Sequence, residues 1–364
     1  MTKRIARMAD VARAAGVSVA TISRYLNNTL HLPEPTVLRI RQAIDTLGYK
    51  PNPHARSLSL GRSDTLGLVV PDITNPYFAR LAAAVEREAA RRGYGLSLCA
   101  SLNTQERERE YLERLSRAAV DGIIFVTNHP DDGMLKEPIN RSGQRMVILD
   151  EDVAGVTGAK VFSDNEQGGF LAGRHLVELG HRRIAFFGGP ETMGSTQMRL
   201  SGVRRAITDA GVEAEITDIY CGDYSPEHGR ASAERLLATG SRATALLVSS
   251  DQIMLGALEI FRRQKLRIPA QLSVIGFDDI APFVLFDPPL TSIRQPVDAM
   301  GRRAVDLMVR GLAGEDVSEV VEHLPVELIL RESTGRPPPG ARTARPTTTR
   351  KPTISTNQEE LRHE

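Results

Sequence analysis

Seven short polar stretches punctuate this 364-residue chain: PDITNPYF (71–78), VTNHP (126–130), ILDED (148–152), FGGPETMGSTQMR (187–199), SSDQ (249–252), GFDD (276–279) and SIRQP (292–296). Each ends a short apolar run, and together they supply carboxylates, an arginine, amides and hydroxyls with tyrosine or phenylalanine beside them. Carboxylates and a guanidinium make charge-assisted hydrogen bonds to hydroxyl groups, and an aromatic face covers an apolar ring surface. The chemistry is recognition of a small polyhydroxylated molecule. The same groups would also serve a purine base.

Bond-breaking chemistry has little support. The chain has no G-x-x-x-x-G-K-[ST] phosphate loop, no H-E-x-x-H, no G-x-S-x-G elbow and no C-x-x-C. FGGPETMG is glycine-rich but lacks the G-x-G-x-x-G spacing, and the eight histidines are scattered. His175 and His181 flank a helix end and read as cap or surface residues. No catalytic residue, metal or cofactor is therefore expected. The only cysteines, Cys99 and Cys221, lie far apart and read as buried thiols of a reducing compartment.

The stretches need a scaffold that brings them together. From about residue 64, apolar runs such as TLGLVV, DGIIFV, RMVILD, RIAFFGG, ALLVSSD and LSVIGFDD alternate with amphipathic helical patterns such as NPYFARLAAAVEREAARRG and QIMLGALEIFRRQ. This rhythm predicts parallel sheets covered on both faces. About ten strands in some 270 residues exceed one sheet, so two α/β subdomains are expected. In such sheets ligands lie at the carboxyl ends of the strands.

The first 62 residues differ from the rest. They carry ten Lys or Arg against Asp10, Glu34 and Asp45, a net +7, whereas the whole chain is only +1. A basic head on an acidic body suggests a polyanion-binding module. Met8, Val11, Ala12 and Ala15 mark an apolar helix face that stops at Gly16. Ser18 is placed to cap a second helix, VATISRYLNN, whose Ile22, Tyr25 and Leu26 pack inward and leave Val19, Ala20, Ser23 and Arg24 outside. A third helix follows Pro33 and Pro35, with Val37, Ile40, Ile44 and Leu47 as its inner stripe and Gly48 at its end. This is a helix-turn-helix, which puts the start of its second helix into the major groove. Val19 and Ala20 would meet apolar base edges there, with Thr21 and Arg24 bonding bases or phosphates.

MADVARAAGVSVATISRYLNN, then LGYKPNPHARSLSLGRSDTLGLVVPDITNPYF, and later GFDDIAPF and LTSIRQP resemble the LacI/GalR family of bacterial transcription regulators, over the chain up to about residue 335. The resemblance implies a repressor of periplasmic-binding-protein type: a small all-α head over residues 1–50, a hinge over 51–63 that becomes helical on DNA, and an effector-binding and dimerisation domain over 64–335. Its first subdomain would span about 64–162 and 291–320, and its second about 163–290 and 321–335. The resemblance adds Asn27, Tyr49, Asn52, Ala55 and Arg56 to the DNA-contacting set and makes Leu58 a minor-groove wedge. A wedge of this kind kinks the duplex, and residues 54–60 are too few to hold a helix alone. Leu60 either joins Leu58 or packs on the body.

For the effector, the resemblance points to Asp150, Arg199, Asp278 and Gln295 as polar contacts and to Tyr77 or Phe78 as the stacking residue. Ser250 stands where some sugar-responsive members have Asn, which implies either an effector that differs from a familiar galactoside or Asp251 taking over that role. Each has a structural alternative: Asp251 and Asp278 as helix caps, Phe78 as core, Arg199 as partner of a structural carboxylate.

Residues 336–364 are rich in Pro, Thr and Arg and are expected to lack fixed structure. They contain no leucine heptad of the kind that makes some family members tetrameric, so a homodimer on a pseudo-palindromic operator is expected. No apolar stretch is long enough to span a membrane, and the amino terminus lacks a secretory pattern, which reads as a cytoplasmic protein. The competing reading is a cytoplasmic sugar-binding protein or sugar-acting enzyme with no gene-regulatory role. The basic head disfavours it.

Overall fold

Three helices pack at the amino terminus of the protein, whose computed structural model describes residues 6–27, 29–50, 62–117, 120–129, 133–141 and 145–339. α1 (Met8–Ala15) ends where Gly16 turns left-handed at φ +66°, and α2 (Val19–Leu26) starts where the Ser18 hydroxyl accepts the Thr21 N–H at 3.0 Å. α3 (Glu34–Leu47) closes the unit. Val11, Ala12, Ala15, Ile22, Ile40, Ala43 and Tyr49 form its core, with Met8, Tyr25, Leu26 and Ile44 against them. Leu47 is not part of it. The left-handed Gly48 reverses the chain, the Tyr49 N–H returns to the Ile44 carbonyl at 3.0 Å, and the Tyr49 ring enters the core while Leu47 stays 38 % exposed.

The body holds two six-stranded sheets. The first comprises β1 (Thr65–Val70), β2 (Gly95–Ala100), β3 (Gly122–Phe125), β4 (Arg145–Leu149), β5 (Ala159–Ser163) and β11 (Val321–Leu324), in the order β11-β5-β4-β3-β1-β2. All its pairings are parallel. α4 (Pro76–Arg91) and α11 (Val297–Leu312) cover one face, and α5 (Gln105–Arg117) and the short α6 (Lys136–Arg141) cover the other. The second sheet comprises β6 (Arg183–Gly188), β7 (Glu215–Cys221), β8 (Ala245–Val248), β9 (Ser273–Phe277), β10 (Thr291–Arg294) and β12 (Glu327–Ile329), in the order β12-β10-β9-β8-β6-β7. Only β12 runs antiparallel to its neighbour. α7 (Asn165–Glu178) and α8 (Gly194–Asp209) cover one face, and α9 (Pro226–Ala238) and α10 (Asp251–Arg263) the other. The strands are nearly continuous apolar runs because both faces are covered.

The chain crosses between lobes three times, and two crossings lie later than the sequence suggests. β10 still pairs with β9, so Thr291–Arg294 belongs to the second lobe and the return begins at Gln295. The segment after α11 is divided: β11 pairs with β5 in the first sheet, and only β12 joins the second. Two short strands separated by Pro325 and Val326 read in the sequence as one. The first lobe thus runs over 64–163 and 297–324, and the second over 164–294 and 327–339.

His181 is fully buried, contrary to a cap or surface role. Its Nδ1 lies 2.8 Å from the Thr244 hydroxyl and its Nε2 2.8 Å from the Gly335 carbonyl, while His175 Nε2 lies 2.9 Å from the Thr334 hydroxyl. Beside them Ser333 donates its hydroxyl to the Val274 carbonyl at 2.6 Å. The two histidines hold Thr334 and Gly335, and the Ser333 hydroxyl completes the attachment of residues 333–335 to the second lobe, at the sheet end away from the strand carboxyl ends.

Candidate functional site

The carboxyl ends of both sheets face one cleft, in which about 440 Å³ is free of protein atoms, open solvent included. From the first lobe, β1 leads into Asn75, Tyr77 and Phe78, β3 into Thr127 and Asn128, and β4 into Asp150 and Glu151. From the second, β6 leads into Met193, Ser195 and Arg199, β7 into Tyr224, β8 into Ser250, Asp251 and Gln252, and β9 into Asp278. Gln295 enters from the crossing after β10. All eight residues expected from the sequence, Tyr77, Phe78, Asp150, Arg199, Ser250, Asp251, Asp278 and Gln295, line this cavity.

Local structure sets each side chain. Asn75 caps α4 by accepting the Tyr77 N–H at 2.8 Å, and Pro76 opens the helix. That fixes Tyr77 and Phe78 edge to face, with ring centres 5.2 Å apart. The Tyr77 hydroxyl donates to Asp150. Asp150 and Asp278 both sit at φ +79°, immediately beyond the ends of β4 and β9. Aspartate is among the few residues that tolerate this left-handed region.

Asp278 lines the cavity and bonds the start of α10, a helix that precedes it in the chain. Its Oδ2 accepts the Asp251 N–H at the start of α10 at 2.9 Å, and its Oδ1 accepts the Gln295 Nε2–H at 2.5 Å. Ser250 is the cap proper, its hydroxyl accepting the Ile253 N–H at 3.3 Å. That oxygen is therefore already engaged.

Arg199 is carried into the cavity by α8, which lies unusually close to α7. A Cβ on Gly169 would fall 1.9 Å from the Arg199 carbonyl oxygen, and one on Gly202 2.0 Å from that of Glu166. Only glycine permits this approach. The guanidinium donates to Asn165 Oδ1 at 2.8 Å and to the Ser249 carbonyl, and lies 3.9 Å from the Phe277 ring centre. Its partners are neutral acceptors, so the structural carboxylate weighed for it is not what holds it. The buried carboxylate Asp279 is taken by Arg294 and Arg331, each at 2.7 Å.

The electrostatics are strongly one-sided. Asp150, Glu151, Asp251 and Asp278 surround one guanidinium. Burial pushes the Asp150 carboxyl up to about 7, against the opposing pull of the Tyr77 hydrogen bond and Arg199. Burial, then the charge of Asp278, pushes Asp251 up to about 8. Burial also raises Glu151 and Asp278, and holds the hydroxyls of Tyr77 and Tyr224 above the ordinary phenol range. Two acceptors, Asp251 Oδ2 and Gln295 Oε1, are buried with no partner among the described residues. Unpaired buried acceptors are costly, and a bound molecule with matching donors would satisfy them.

Several lining residues were not singled out from the sequence. Glu151 and Ser195 lay inside the quoted strand-end stretches, but nothing in the sequence says they meet. Tyr224 lay outside them, in the loop after β7; the usable signal was an aromatic just past a strand's carboxyl end. Its hydroxyl lies 3.0 Å from that of Ser195 and 2.9 Å from that of Thr196.

On the head, Ser18, Ala20 and Arg24 are exposed and Val19 is 47 % exposed, on the outer side of α2. Thr21, Ser23 and Asn27 are half-buried on the same helix or its end. Tyr49 is the exception among the expected DNA contacts, its ring being in the core. Asn52, Ala55, Arg56, Leu58 and Leu60 lie outside the described residues.

Comparison with known proteins matches residues 7–52 to bacterial regulatory proteins of the lacI family and residues 174–334 to the periplasmic binding protein-like domain. The HTH-type transcriptional repressor PurR of Mannheimia succiniciproducens is 33 % identical over 329 residues, covering 90 % of this chain and 98 % of that protein. Among solved structures, the lac repressor dimer bound to operator and the anti-inducer ONPF superposes with a TM-score of 0.81 at 28 % identity, over 91 % of this chain and all of that one. The complex of the transcriptional regulator CelR with cellobiose gives 0.68 at 31 % identity, over 90 % of this chain and 99 % of that one.

Proposed function

The chain belongs to the lacI family of bacterial regulatory proteins, and we propose that this DNA-binding transcriptional repressor is controlled by a sugar or sugar derivative held between its two α/β lobes. One observation carries the proposal: the eight side chains expected to hold an effector converge from both lobes on one cavity that retains two unpaired buried acceptors. The cellobiose held by a relative of similar fold supports the same ligand class.

The mechanism is a coupling between two states. Ligand in the cavity touches both lobes and so changes their relative orientation. The paired hinges of a homodimer then change separation, and operator affinity follows. The dimer's two-fold axis matches a pseudo-palindromic operator, as the dimeric relative bound to operator supports. Val19, Ala20, Thr21 and Arg24 read the major groove, Ser18, Ser23 and Asn27 position α2 against it, and Leu58 with Asn52, Ala55 and Arg56 engages the minor groove. Tyr49 acts by holding the end of α3.

The test is a thermal-shift screen of sugars, sugar phosphates and purines on the full chain, followed by operator binding with and without each hit. A sugar that raises the melting temperature and changes operator affinity at least tenfold, about 1.4 kcal/mol, is the expected result. A response confined to purines removes the sugar reading, and no selection of DNA from a random pool removes the regulatory one. Leu58→Ala should weaken operator binding and spare ligand binding, whereas Asp278→Ala should do the reverse.

A further inference from the structure

The cavity's unsatisfied chemistry points in one direction. Both bare atoms are acceptors: Asp251 Oδ2, on a residue 1 % exposed, and Gln295 Oε1, on a residue 2 % exposed. The Gln295 amide nitrogen is committed to Asp278, so its carbonyl oxygen is the part left for a ligand. No other fully buried side-chain nitrogen or oxygen lining the cavity is left without a partner among the described residues. Asp251 and Asp278 are joined through the Asp251 N–H, and the start of α10 supplies partial positive charge for about one carboxylate, not two. Arg199, the cation lining the cavity among the described residues, spends its described hydrogen bonds on Asn165 and Ser249.

We infer that the effector carries a protonated nitrogen among its hydroxyls, an amino sugar being the class that fits, and that anionic sugars are refused. The inference rests on the proposal that this cavity holds the effector. A hydroxyl donates one hydrogen bond to Asp251 Oδ2 but brings no charge. An ammonium donates to Asp251 Oδ2 and Gln295 Oε1 together and neutralises the carboxyl pair.

In the empty cavity the same role falls to a proton. Asp251 holds one near neutrality through burial and the neighbouring Asp278 charge. Asp150 and Glu151 from β4, Tyr77 from α4, Tyr224 beyond β7 and Arg199 from α8 are the other titratable or charged groups sharing the cavity. As the ligand cation enters, the displaced proton leaves to solvent, so the charge of the site is conserved. A sugar phosphate would set a further anion among four carboxyls.

The experiment is isothermal calorimetry on the full chain at pH 7 in two buffers of different ionisation enthalpy. The probes are D-glucosamine, D-galactosamine, D-glucose, D-galactose and D-glucose 6-phosphate. An amino sugar should bind at least about tenfold more tightly than its neutral parent, the equivalent of one unit of proton affinity, and should release protons on binding. D251N should bring the two within about threefold and abolish the proton release, while Gln295→Leu should weaken the amino sugar with the release retained. A neutral parent or the 6-phosphate binding as tightly as the amine overturns the inference and leaves the sugar-effector reading standing. Binding of none of the five overturns the amino-sugar assignment, and the broader screen then decides whether a sugar effector survives. An amine preference that persists in D251N overturns the placement of the cation.

Discussion

Glu151 of the first lobe reaches across the cavity to Ser195 of the second, where both carboxylate oxygens lie 3.3 Å from the Ser195 N–H at the start of α8. A carboxyl of one lobe thus caps a helix of the other. Glu151→Ala should loosen this contact between the lobes and weaken ligand binding about ten- to 150-fold, the worth of one charge-assisted hydrogen bond. Calorimetry with the screened ligand reads it directly. An unchanged affinity would show that the contact contributes nothing to closure.

Asp150 provides a pH test whose sign is fixed by its environment. Its folded carboxyl is raised to about 7 from 3.8 by burial, so between these values the folded chain holds a proton that the unfolded chain has lost. The group's contribution to stability therefore declines as pH rises from about 4 to about 7. Asp150→Asn, which still accepts from Tyr77, should raise the melting temperature at pH 8 and leave it nearly unchanged at pH 4.5. Equal shifts at both values would contradict this.

His181 works in the opposite sense. Burial lowers its pKa from 6.5, so the folded chain resists a proton that the unfolded chain accepts. Stability should fall as pH drops below about 6.5, and this slope should be shallower in His181→Gln. The same variant loses part of the clamp on residues 333–335 and should unfold about 1–3 kcal/mol more easily at pH 8, as urea denaturation would report.

On the head, two positions one turn apart should separate recognition from folding. Ile22 is fully buried, and Ile22→Ala should cost about 2–4 kcal/mol and abolish DNA binding with the fold of the head. Val19→Ala, at a position 47 % exposed, should leave the melting of the head within about 0.5 kcal/mol. It should change which operators are preferred in a selection from random DNA. Unaltered preference would take Val19 out of the groove.

The head and the alternating body were legible in the sequence because their signals are local: a helix face ending in glycine, a capping serine, apolar runs of strand length. Leu47 misled because the helical period continues to it, whereas the reversal at Gly48 brings Tyr49 inward instead. The later crossings were hidden because β10, β11 and β12 are three or four residues long, and their partners are distant in sequence. Site residues at strand ends could be collected from composition. The meeting of Glu151 with Ser195, and the two acceptors left bare, depend on side-chain geometry that no spacing encodes.

The division of β11 from β12 has a consequence for how the chain is made. The first sheet lacks its edge strand until residues 321–324 join β5, by which point nearly all of the second lobe has been synthesised. Neither lobe is a contiguous stretch that could be cut out and expressed alone. A premature stop between residues 164 and 321 leaves an open strand edge on β5, a template for pairing with other chains, so these truncated products should accumulate as aggregates and not as half-size regulators.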